Sequence, residues 1–250
     1  MFYREISQQL KKMGFTEQNH FEKATVLPYI GTKYECPCCR GHFDYFSDAG
    51  IIKRKSVKCP KCLSLERHRL LWLYLVNKTD ILTERLKVLH VAPEYCIESN
   101  ITERANLTYT SMDLVSPRAM VKADITNLPF VNNSFNVFIC SHVLEHVIED
   151  IKAMKELYRV LTPGGWGILQ IPLDLNAERT IEDITLSQDE RIRMFGQSDH
   201  VRLYGRDFID RLKSAGFMVE TNNYAKELGN EAINKYRLQQ KGLIFHCRKP

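Results

Sequence analysis

The sequence has no long hydrophobic run. Its longest obvious apolar stretch covers residues 70–76 (LLWLYLV), far below the roughly 20 residues that a membrane-spanning helix requires. The N-terminal sequence MFYREISQQLKKMGF contains no apolar core of the kind that a secretory signal peptide has. These two absences predict a cytoplasmic protein that has no membrane partner.

The chain also lacks a strong excess of charge of either sign. It has 35 Lys and Arg residues against 30 Asp and Glu residues, which gives a formal net charge of +5. This balance does not by itself demand a nucleic-acid partner. A short basic run, Lys53, Arg54 and Lys55 followed by Lys58, allows either contact with RNA or ordinary solvated charge on a hairpin.

Disulfide bonds are not expected, because the eight cysteines occur in a chain without a secretory signal. Four of them form two C-x-x-C knuckles, Cys36 with Cys39 and Cys59 with Cys62. Each knuckle allows two thiolates from one tight turn to bind the same tetrahedral ion. Cys38 makes the register of the first knuckle ambiguous, and the equal spacing of the two knuckles favours Cys36 and Cys39. We therefore predict a zinc ribbon whose four-cysteine site is structural and closed to substrate.

A ligand-binding crevice is indicated by the segment 122–147 (KADITNLPFVNNSFNVFICSHVLEHV). Residues 135–140 (FNVFIC) are apolar, β-branched or aromatic, as is typical of a strand buried on both faces. Ser141 and His142 follow at the carboxyl end of this strand, and Asp124 ends the short strand before it. Ligands of open α/β sheets bind at that edge, because the strands stop there and the loops diverge.

The order of these elements resembles that of the class I S-adenosylmethionine-dependent methyltransferases, in particular their small-molecule-type branch. The shared elements are an acid followed by Leu-Pro-Phe at 128–130, the Ser-Phe-Asn start of the strand, and Leu-Glu-His at 144–146. The sequence LTPGG at 161–165 resembles the turn before the fifth strand of the family. The resemblance covers roughly residues 85–250. It implies an α/β fold, with a Rossmann-like seven-stranded methyltransferase sheet preceded by the zinc ribbon and helices.

This resemblance divides the chain into four expected parts. They are an N-terminal helical segment (1–30), which includes an amphipathic helix at residues 2–13, the zinc ribbon (31–63), a buried linking helix (64–84) and the methyltransferase domain (85–250). Within the last part, strands are expected at 87–91, 107–112, 135–140, 165–171, 217–221 and 242–247, and helices at 148–161 and 206–215. The first of these helices is expected to have Glu145 and His146 at its start and Ile148 in its buried stripe. Glu145 there suits the helix dipole, so a structural role for it is at least equal to a catalytic one.

The turn after the first strand departs from the family pattern. The family has a glycine-rich turn here, so that its backbone can approach the methionine part of S-adenosylmethionine, but this chain has His90, Ala92, Pro93 and Glu94. Ala92 keeps most of the room that glycine would leave, while Pro93 removes an N–H donor. We expect His90 and Ala92 to contact the cofactor, and Glu94 to face its ammonium group.

The remaining cofactor contacts are expected at the ends of the following strands. Asp113 follows the second strand, where an acid can accept hydrogen bonds from both ribose hydroxyls. Asp124 matches the family position that bonds the adenine amino group, and Ile125 matches the one that covers the ring. Met112 or Leu114 closes the other face of the ring. Ser141 and His142 complete the predicted cofactor set.

Two histidines are candidate general bases. His200, beside Asp199, lies in the segment after the fifth strand where this fold usually builds its acceptor pocket, and we rank it first. His142 ranks second. The sequence indicates equally well that it contacts the cofactor or acceptor and that it is a packed or capping histidine. Arg202 and Tyr204, together with Asp199, are predicted to bind substrate, although a salt-bridged surface loop explains the same pattern.

The sequence therefore predicts an S-adenosylmethionine-dependent methyltransferase with a structural Zn²⁺ ion. Its acceptor is an O or N atom of a small or medium molecule, such as a metabolite, a glycan or a natural product. One alternative is an RNA methyltransferase that uses the ribbon for RNA contact, which the modest charge does not favour. The other is a methyltransferase-like binding module that has lost its cofactor, as the missing glycines allow.

Overall fold

The computed structural model describes residues 26–50 and 53–250. The amphipathic helix expected at 2–13 lies outside these residues, as does most of the segment 1–30. The chain forms two compact units, neither of them continuous in sequence. The first unit comprises Met1–Asp80, Glu94–Asn100 and Asn223–Gly242, and the second comprises Ile81–Pro93, Ile101–Asn222 and Leu243–Pro250. The four-part division at residues 30, 63 and 84 stays a prediction.

The strands are β1 (Ile30–Glu35), β2 (His42–Phe43), β3 (Ser47–Ala49), β4 (Arg54–Lys58), β5 (Leu86–Val91), β6 (Leu107–Asp113), β7 (Val121–Lys122), β8 (Phe135–Ser141), β9 (Leu161–Gln170), β10 (Ile181–Glu182), β11 (Arg202–Leu203), β12 (Met218–Asn222) and β13 (Ile244–Arg248). The α-helices are α1 (Glu66–Lys78), α2 (Tyr95–Thr102), α3 (Asp150–Val160), α4 (Gln188–Phe195), α5 (Phe208–Ser214) and α6 (Tyr224–Tyr236). In the described part of the chain, no helix is both long enough and apolar enough to cross a bilayer.

The first unit contains two small antiparallel hairpins, β1 with β2 and β3 with β4, and the helices α1 and α6. The side chain of Arg69, on α1, is fully buried in this unit. Its guanidinium donates to the carbonyl oxygens of Ser64, Val57, Tyr236 and Arg237 at 2.6 to 3.0 Å. A buried cation is tolerated only when its donors are satisfied in this way. Arg69 therefore joins the start of α1, the end of β4 and the end of α6.

The second unit is built on a seven-stranded sheet in the order β12-β13-β9-β8-β5-β6-β7. Strands β9, β8, β5, β6 and β7 pair in parallel, whereas β13 is antiparallel to both of its neighbours. The central strands are buried on both faces, which explains their continuous apolar sequences. The Phe138 ring packs against β9 at Gly167. A Cβ at this position would lie 2.1 Å from the ring, so the packing requires glycine.

This sheet confirms the predicted Rossmann-like methyltransferase fold. The strands expected at 87–91, 107–112 and 135–140 each differ by one residue at one end from the observed β5, β6 and β8. The fifth strand begins earlier than expected, at Leu161, because the Leu-Thr-Pro-Gly-Gly segment already pairs with β8 at Phe135. The antiparallel pair at the end of the chain, β12 with β13, is also present.

The helix after β8 begins later than the sequence indicated. We expected a helix over 148–161, with Glu145 and His146 at its start, but Leu144–His146 form a separate 3₁₀ turn and α3 begins at Asp150. Val147 is extended, with φ −93° and ψ 119°, so the helix cannot continue through it. Ile148, expected in the buried stripe of the helix, is consequently 62% exposed.

An ion pair on α3 holds the Leu-Pro-Phe segment. Glu156 Oε2 accepts from the Leu128 N–H at 2.8 Å, and Arg159 donates to Glu156, to the Leu128 carbonyl and to the Phe130 carbonyl at 2.7 to 3.0 Å. The Arg159 guanidinium is the largest cause that holds the pKa of Glu156 below its usual value. The pair therefore ties the loop after β7 to the body of the second unit.

We expect Glu156→Gln to lower the free energy of unfolding by about 1 kcal/mol at pH 7, since it weakens charge-assisted hydrogen bonds. The pKa of Glu156 is lower in the folded chain than in the unfolded chain, where it is near 4.5. The ionised carboxylate therefore contributes fully to the free energy of unfolding above pH 4.5, and this contribution is lost as the pH falls through the lower pKa of the folded state. Denaturant titrations from pH 7 to pH 3 should show the difference from the natural chain shrinking below pH 4.5. The exposed Glu220→Gln serves as control, and a difference that persists undiminished at pH 3 would contradict this role.

Candidate functional site

A cavity of about 950 Å³ opens in the second unit at the carboxyl ends of the parallel strands. One wall follows β5, β6 and β7, and it is lined by Val91, Ala92, Met112, Asp113, Leu114, Val115, Ala123, Asp124, Ile125 and Thr126. The other wall follows β8, and it is lined by His142, Val143, His146, Val147, Ile148, Glu149 and Asp199. The volume is at the upper end of the range for ligand pockets, which suits a nucleotide-sized ligand together with a second small molecule.

Two residues with left-handed backbone conformation begin the loops at this edge. Ala92 follows β5 with φ +48°, and His142 follows β8 with φ +54°. Such angles are uncommon for residues other than glycine, and they turn the chain sharply away from the direction of the strand. Ala92 therefore makes the turn for which the methyltransferase family uses glycine, and the missing glycine does not close the cavity.

Asp113 and Asp124 lie where the sequence predicted them, on the first wall of the cavity. Asp113 Oδ1 accepts from the backbone N–H groups of Val115 and Ser116 at 2.8 and 2.7 Å. Asp124 Oδ1 accepts from the N–H and the hydroxyl of Thr126 at 2.8 and 2.9 Å. These bonds fix both carboxylates at the strand ends. The buried side chains of Met112 and Ile125 line the same wall.

His142 lines the second wall and forms a pair with a buried acid. Its Nδ1 lies 3.0 Å from Glu145 Oε1, and the Glu145 side chain is fully buried. A carboxylate oxygen accepts, so Nδ1 is the donor and the Nε2 atom of a neutral imidazole keeps its lone pair. Glu145 does not lie at the start of an α-helix, and the sequence signal for its burial is an acid among the apolar residues Val143, Leu144 and Val147.

His146, Asp199 and His200 meet beside this pair. His146 Nδ1 lies 3.2 Å from Asp199 Oδ2, and both residues line the cavity. The rings of His146 and His200 pack edge to face with centroids 4.7 Å apart. His200 itself is buried and is not part of the cavity wall. Burial is the largest cause that lowers the pKa of His200 below its usual value, so its imidazole is neutral at pH 7.

Arg202 and Tyr204, which we predicted to bind substrate, are buried and do not line the cavity. Arg202 donates to the carbonyl oxygens of Leu144, Val147 and Ile148, and it forms an ion pair with Glu182 at 2.9 Å. The Tyr204 hydroxyl donates to Asp150 Oδ2 at 2.9 Å and also contacts the Leu144 carbonyl. Both residues thus hold the segment that carries Glu145 and His146. Direct contact of Arg202 and Tyr204 with a substrate stays a prediction, and their buried positions do not support it.

Three predicted cofactor contacts lie away from the cavity wall. His90 is fully buried, with Nδ1 3.0 Å from the Tyr109 hydroxyl, and Ser141 is buried and donates to Gln170 Oε1 at 3.3 Å. Glu94 belongs to the first unit, where its carboxylate lies 3.9 Å from His68 Nε2. Their contacts with a cofactor stay predictions.

The four predicted metal ligands converge in the first unit. Cys36 Sγ lies 3.5 Å from Cys62 Sγ, and Cys39 Sγ lies 3.6 Å from Cys59 Sγ. Four thiolates on one tetrahedral zinc ion stand about 3.8 Å apart, since each Zn–S bond is about 2.3 Å. The cluster therefore fits a zinc ion with little adjustment. Cys38 is buried outside this group, with its sulfur 3.9 Å from the His68 carbonyl.

The core of the second unit is similar to known proteins. Residues 83–169 match the sequence profile of a methyltransferase domain family. A ubiquinone/menaquinone biosynthesis C-methyltransferase from Bdellovibrio bacteriovorus is 26% identical over 137 residues, 49% of this chain and 57% of that protein. A demethylmenaquinone methyltransferase from Paenarthrobacter aurescens is 47% identical over 45 residues, 18% of each chain. The matches therefore span less than two thirds of these relatives.

Solved structures show the same fold at low sequence identity. A complex of the Haloferax volcanii Trm112 methyltransferase activator with a methyltransferase contains a chain with a TM-score of 0.53 and 15% identity, covering 74% of this chain and 91% of that one. A Burkholderia thailandensis 1,6-didemethyltoxoflavin-N1-methyltransferase, with bound S-adenosylhomocysteine, has a TM-score of 0.51 and 12% identity, with coverages of 74% and 78%. The [4+2]-cyclase SpnF has a TM-score of 0.52 and 14% identity, with coverages of 91% and 94%.

We expect Ala92→Gly to raise the free energy of unfolding by up to about 1 kcal/mol, because glycine relieves the left-handed strain at φ +48° while it loses some chain entropy on folding. The helical control Ala153→Gly should lower the free energy of unfolding by about 1 kcal/mol or more. Thermal or denaturant unfolding of both variants measures the effect. Destabilisation by Ala92→Gly comparable to that by the control would contradict a strained turn.

Proposed function

We propose that this protein is an S-adenosylmethionine-dependent methyltransferase with a small-molecule acceptor. The observation that carries the proposal is Asp113, held by two backbone N–H groups at the end of β6 on the wall of the cavity. A carboxylate in that place suits the two ribose hydroxyls of a nucleoside. The match of residues 83–169 to a methyltransferase domain family supports the same cofactor. The cyclase SpnF has the same fold but is named for a different reaction. Because the fold alone does not determine the reaction, cofactor binding and methyl transfer need separate tests.

The charge of the cavity supports a cationic cofactor and disfavours RNA. Among the described residues that line it, Asp113, Asp124, Glu149 and Asp199 are acidic and none is Lys or Arg. Acidic walls attract the sulfonium and ammonium groups of S-adenosylmethionine and repel the phosphates of a nucleic acid. The exposed apolar side chains of Leu114, Val115 and Ile148 line the cavity as well, and they suit an acceptor with an apolar body.

When bound, S-adenosylmethionine supplies an electrophilic methyl group whose S–C bond electrons return to sulfur during transfer. The protein aligns the acceptor with that methyl group and receives the proton that the acceptor loses. His142 is the better placed of the two predicted bases, because it lines the cavity while Glu145 orients its ring and leaves Nε2 free to accept. His200, which we ranked first from the sequence, is buried behind the wall.

A base at His142 suits any acceptor that loses a proton on methylation, whether a hydroxyl, an amine or a ring carbon, and we retain O- or N-methylation as the proposal. A ring carbon is the second candidate, because the curated relatives are named as C-methyltransferases of ubiquinone and menaquinone biosynthesis. A radiolabelled methyl donor offered with hydroxylated aromatic, amine and quinol acceptors separates these cases. The chemical position of the label in the product identifies the atom that is methylated.

We also propose that the four cysteines hold a structural Zn²⁺ ion. Ser64 Oγ lies 3.2 Å from Cys36 Sγ and 3.3 Å from Cys62 Sγ, so a hydroxyl borders the ligand sphere. With four protein ligands the ion has no open position, and its contribution is to the folding of the first unit.

For the cofactor, we expect Asp113→Ala to weaken the binding of S-adenosylhomocysteine about 10- to 100-fold, since charge-assisted hydrogen bonds to the ribose contribute roughly 1.5–3 kcal/mol. Calorimetric titration measures the affinity. Asp174→Ala is the matched control, because Asp174 Oδ1 makes a similar turn with the Asn176 N–H at 2.9 Å and does not line the cavity. Absence of binding by the natural chain to both S-adenosylmethionine and S-adenosylhomocysteine would refute the proposed cofactor and favour a non-catalytic binding module.

For the zinc site, we expect Cys39→Ser to lose most of the bound zinc and Cys38→Ser to keep it, although both cysteines lie in the same knuckle. Elemental analysis of the purified variants gives the zinc content per chain. Thermal unfolding should show a loss of stability in Cys39→Ser that resembles the effect of a chelator on the natural chain. Equal zinc content in the two variants would show that the ligand set is wrong.

A further inference from the structure

A second group of potential metal ligands lies in the second unit, away from the cysteines. Glu145, His146 and His200 place one ligand atom each within 4.8 Å of one another. Glu145 and His200 are 0% and 3% exposed, so solvent does not compensate their polar atoms. His146 is half-buried and forms part of the cavity wall.

Two of these side chains present acceptors to each other. His200 Nδ1 lies 3.0 Å from the Phe195 carbonyl, which can only accept, so Nδ1 carries the hydrogen and Nε2 carries a lone pair. Glu145 uses Oε1 for His142, which leaves Oε2. Among the residues that the structure describes, neither Glu145 Oε2 nor His200 Nε2 has a hydrogen-bond partner. Two buried acceptors without a donor cost free energy, and a cation between them removes that cost.

We propose that Glu145, His146 and His200 bind a divalent transition-metal ion. Two imidazoles and one carboxylate form a donor set that suits Fe²⁺, Mn²⁺, Co²⁺ or Zn²⁺. Bonds of about 2.1 Å to a tetrahedral ion place ligand atoms about 3.4 Å apart, so atoms that lie within 4.8 Å of one another need to close by up to about 1.4 Å around the ion. No thiolate takes part, which separates this site chemically from the four-cysteine site.

The three ligands are held by hydrogen-bond partners outside the group, as is usual for metal ligands in proteins. Each ligand has an outer partner that fixes its orientation: the Phe195 carbonyl for His200, Asp199 for His146 and His142 for Glu145. The Arg202 guanidinium in turn holds the Leu144 and Val147 carbonyls on either side of Glu145 and His146. The ligand atoms are thus positioned by contacts that do not depend on the ion.

Three protein ligands leave coordination positions open, and His146 connects the site to the cavity. An ion here can bind an oxygen of the acceptor and orient it for methyl transfer. That use of the ion rests on the proposed function, whereas the ion site itself does not.

The test uses the full chain loaded with one equivalent of Zn²⁺, which the four thiolates take first, so that the cysteine site is filled and the second site stays free. Mn²⁺ is the probe, because it prefers nitrogen and oxygen ligands over thiolates. Electron paramagnetic resonance follows the loss of the free-ion signal as protein is added. We expect about one Mn²⁺ per chain, and a loss of affinity on the order of 100-fold in Glu145→Gln and in His200→Gln. Co²⁺ should give a visible spectrum of nitrogen and oxygen ligation without thiolate charge transfer.

Glu220→Gln is the control, since Glu220 is exposed, lines neither the cavity nor the three-residue group, and should leave the affinity for Mn²⁺ unchanged. Circular dichroism shows whether each variant is folded, and calorimetry with S-adenosylhomocysteine tests the cofactor pocket separately on the same samples. Binding of neither Mn²⁺ nor Co²⁺ by the folded, zinc-loaded natural chain would overturn the proposal and leave a shared proton between Glu145 and His200. Binding that survives in both ligand variants would overturn it too.

Discussion

The parallel pairing of β5 with β6 on one side and β8 on the other is the constraint on which the site depends. Parallel strands end at the same edge of a sheet, so residues that are distant in sequence meet there without any direct attraction between them. Ala92, Asp113 and His142 each follow or end one of these strands. The left-handed conformations of Ala92 and His142 then direct the two loops apart, and the cavity is the space that they leave.

The second wall of the cavity depends on one buried cation. Burying the Arg202 guanidinium would be costly without partners, but three backbone carbonyls and the carboxylate of Glu182 satisfy it. Asp150 extends the network, because it accepts from Tyr204 and from Arg211. The segment 144–148 has only one 3₁₀ turn of its own, followed by the extended Val147, so the Arg202 bonds add to the few backbone bonds that hold it. They thereby position Glu145 and His146.

The two proposed metal sites illustrate two relations between ligand spacing and structure. The four-cysteine site uses two local knuckles, each of which brings a pair of ligands together within one turn. The Glu145, His146 and His200 group draws two ligands from one 3₁₀ turn and the third from a loop more than fifty residues later. A closed set of four ligands suits stability, whereas an open set of three beside a cavity suits chemistry on a bound molecule.

Local sequence pattern was enough to predict several parts of this protein. The apolar runs of β5, β6 and β8, the acids at the strand ends and the spacing of the cysteines follow from short-range sequence, because strand burial and knuckle geometry extend over only a few residues. The positions of four other residues depend on long-range packing: His142 lines the cavity, His200 lies behind it, and Arg202 and Tyr204 support the wall. A polar residue in a long loop has no periodicity to indicate its direction, so packing against residues 144–150 fixed its partners. The same packing brought Glu145 Oε2 and His200 Nε2 together.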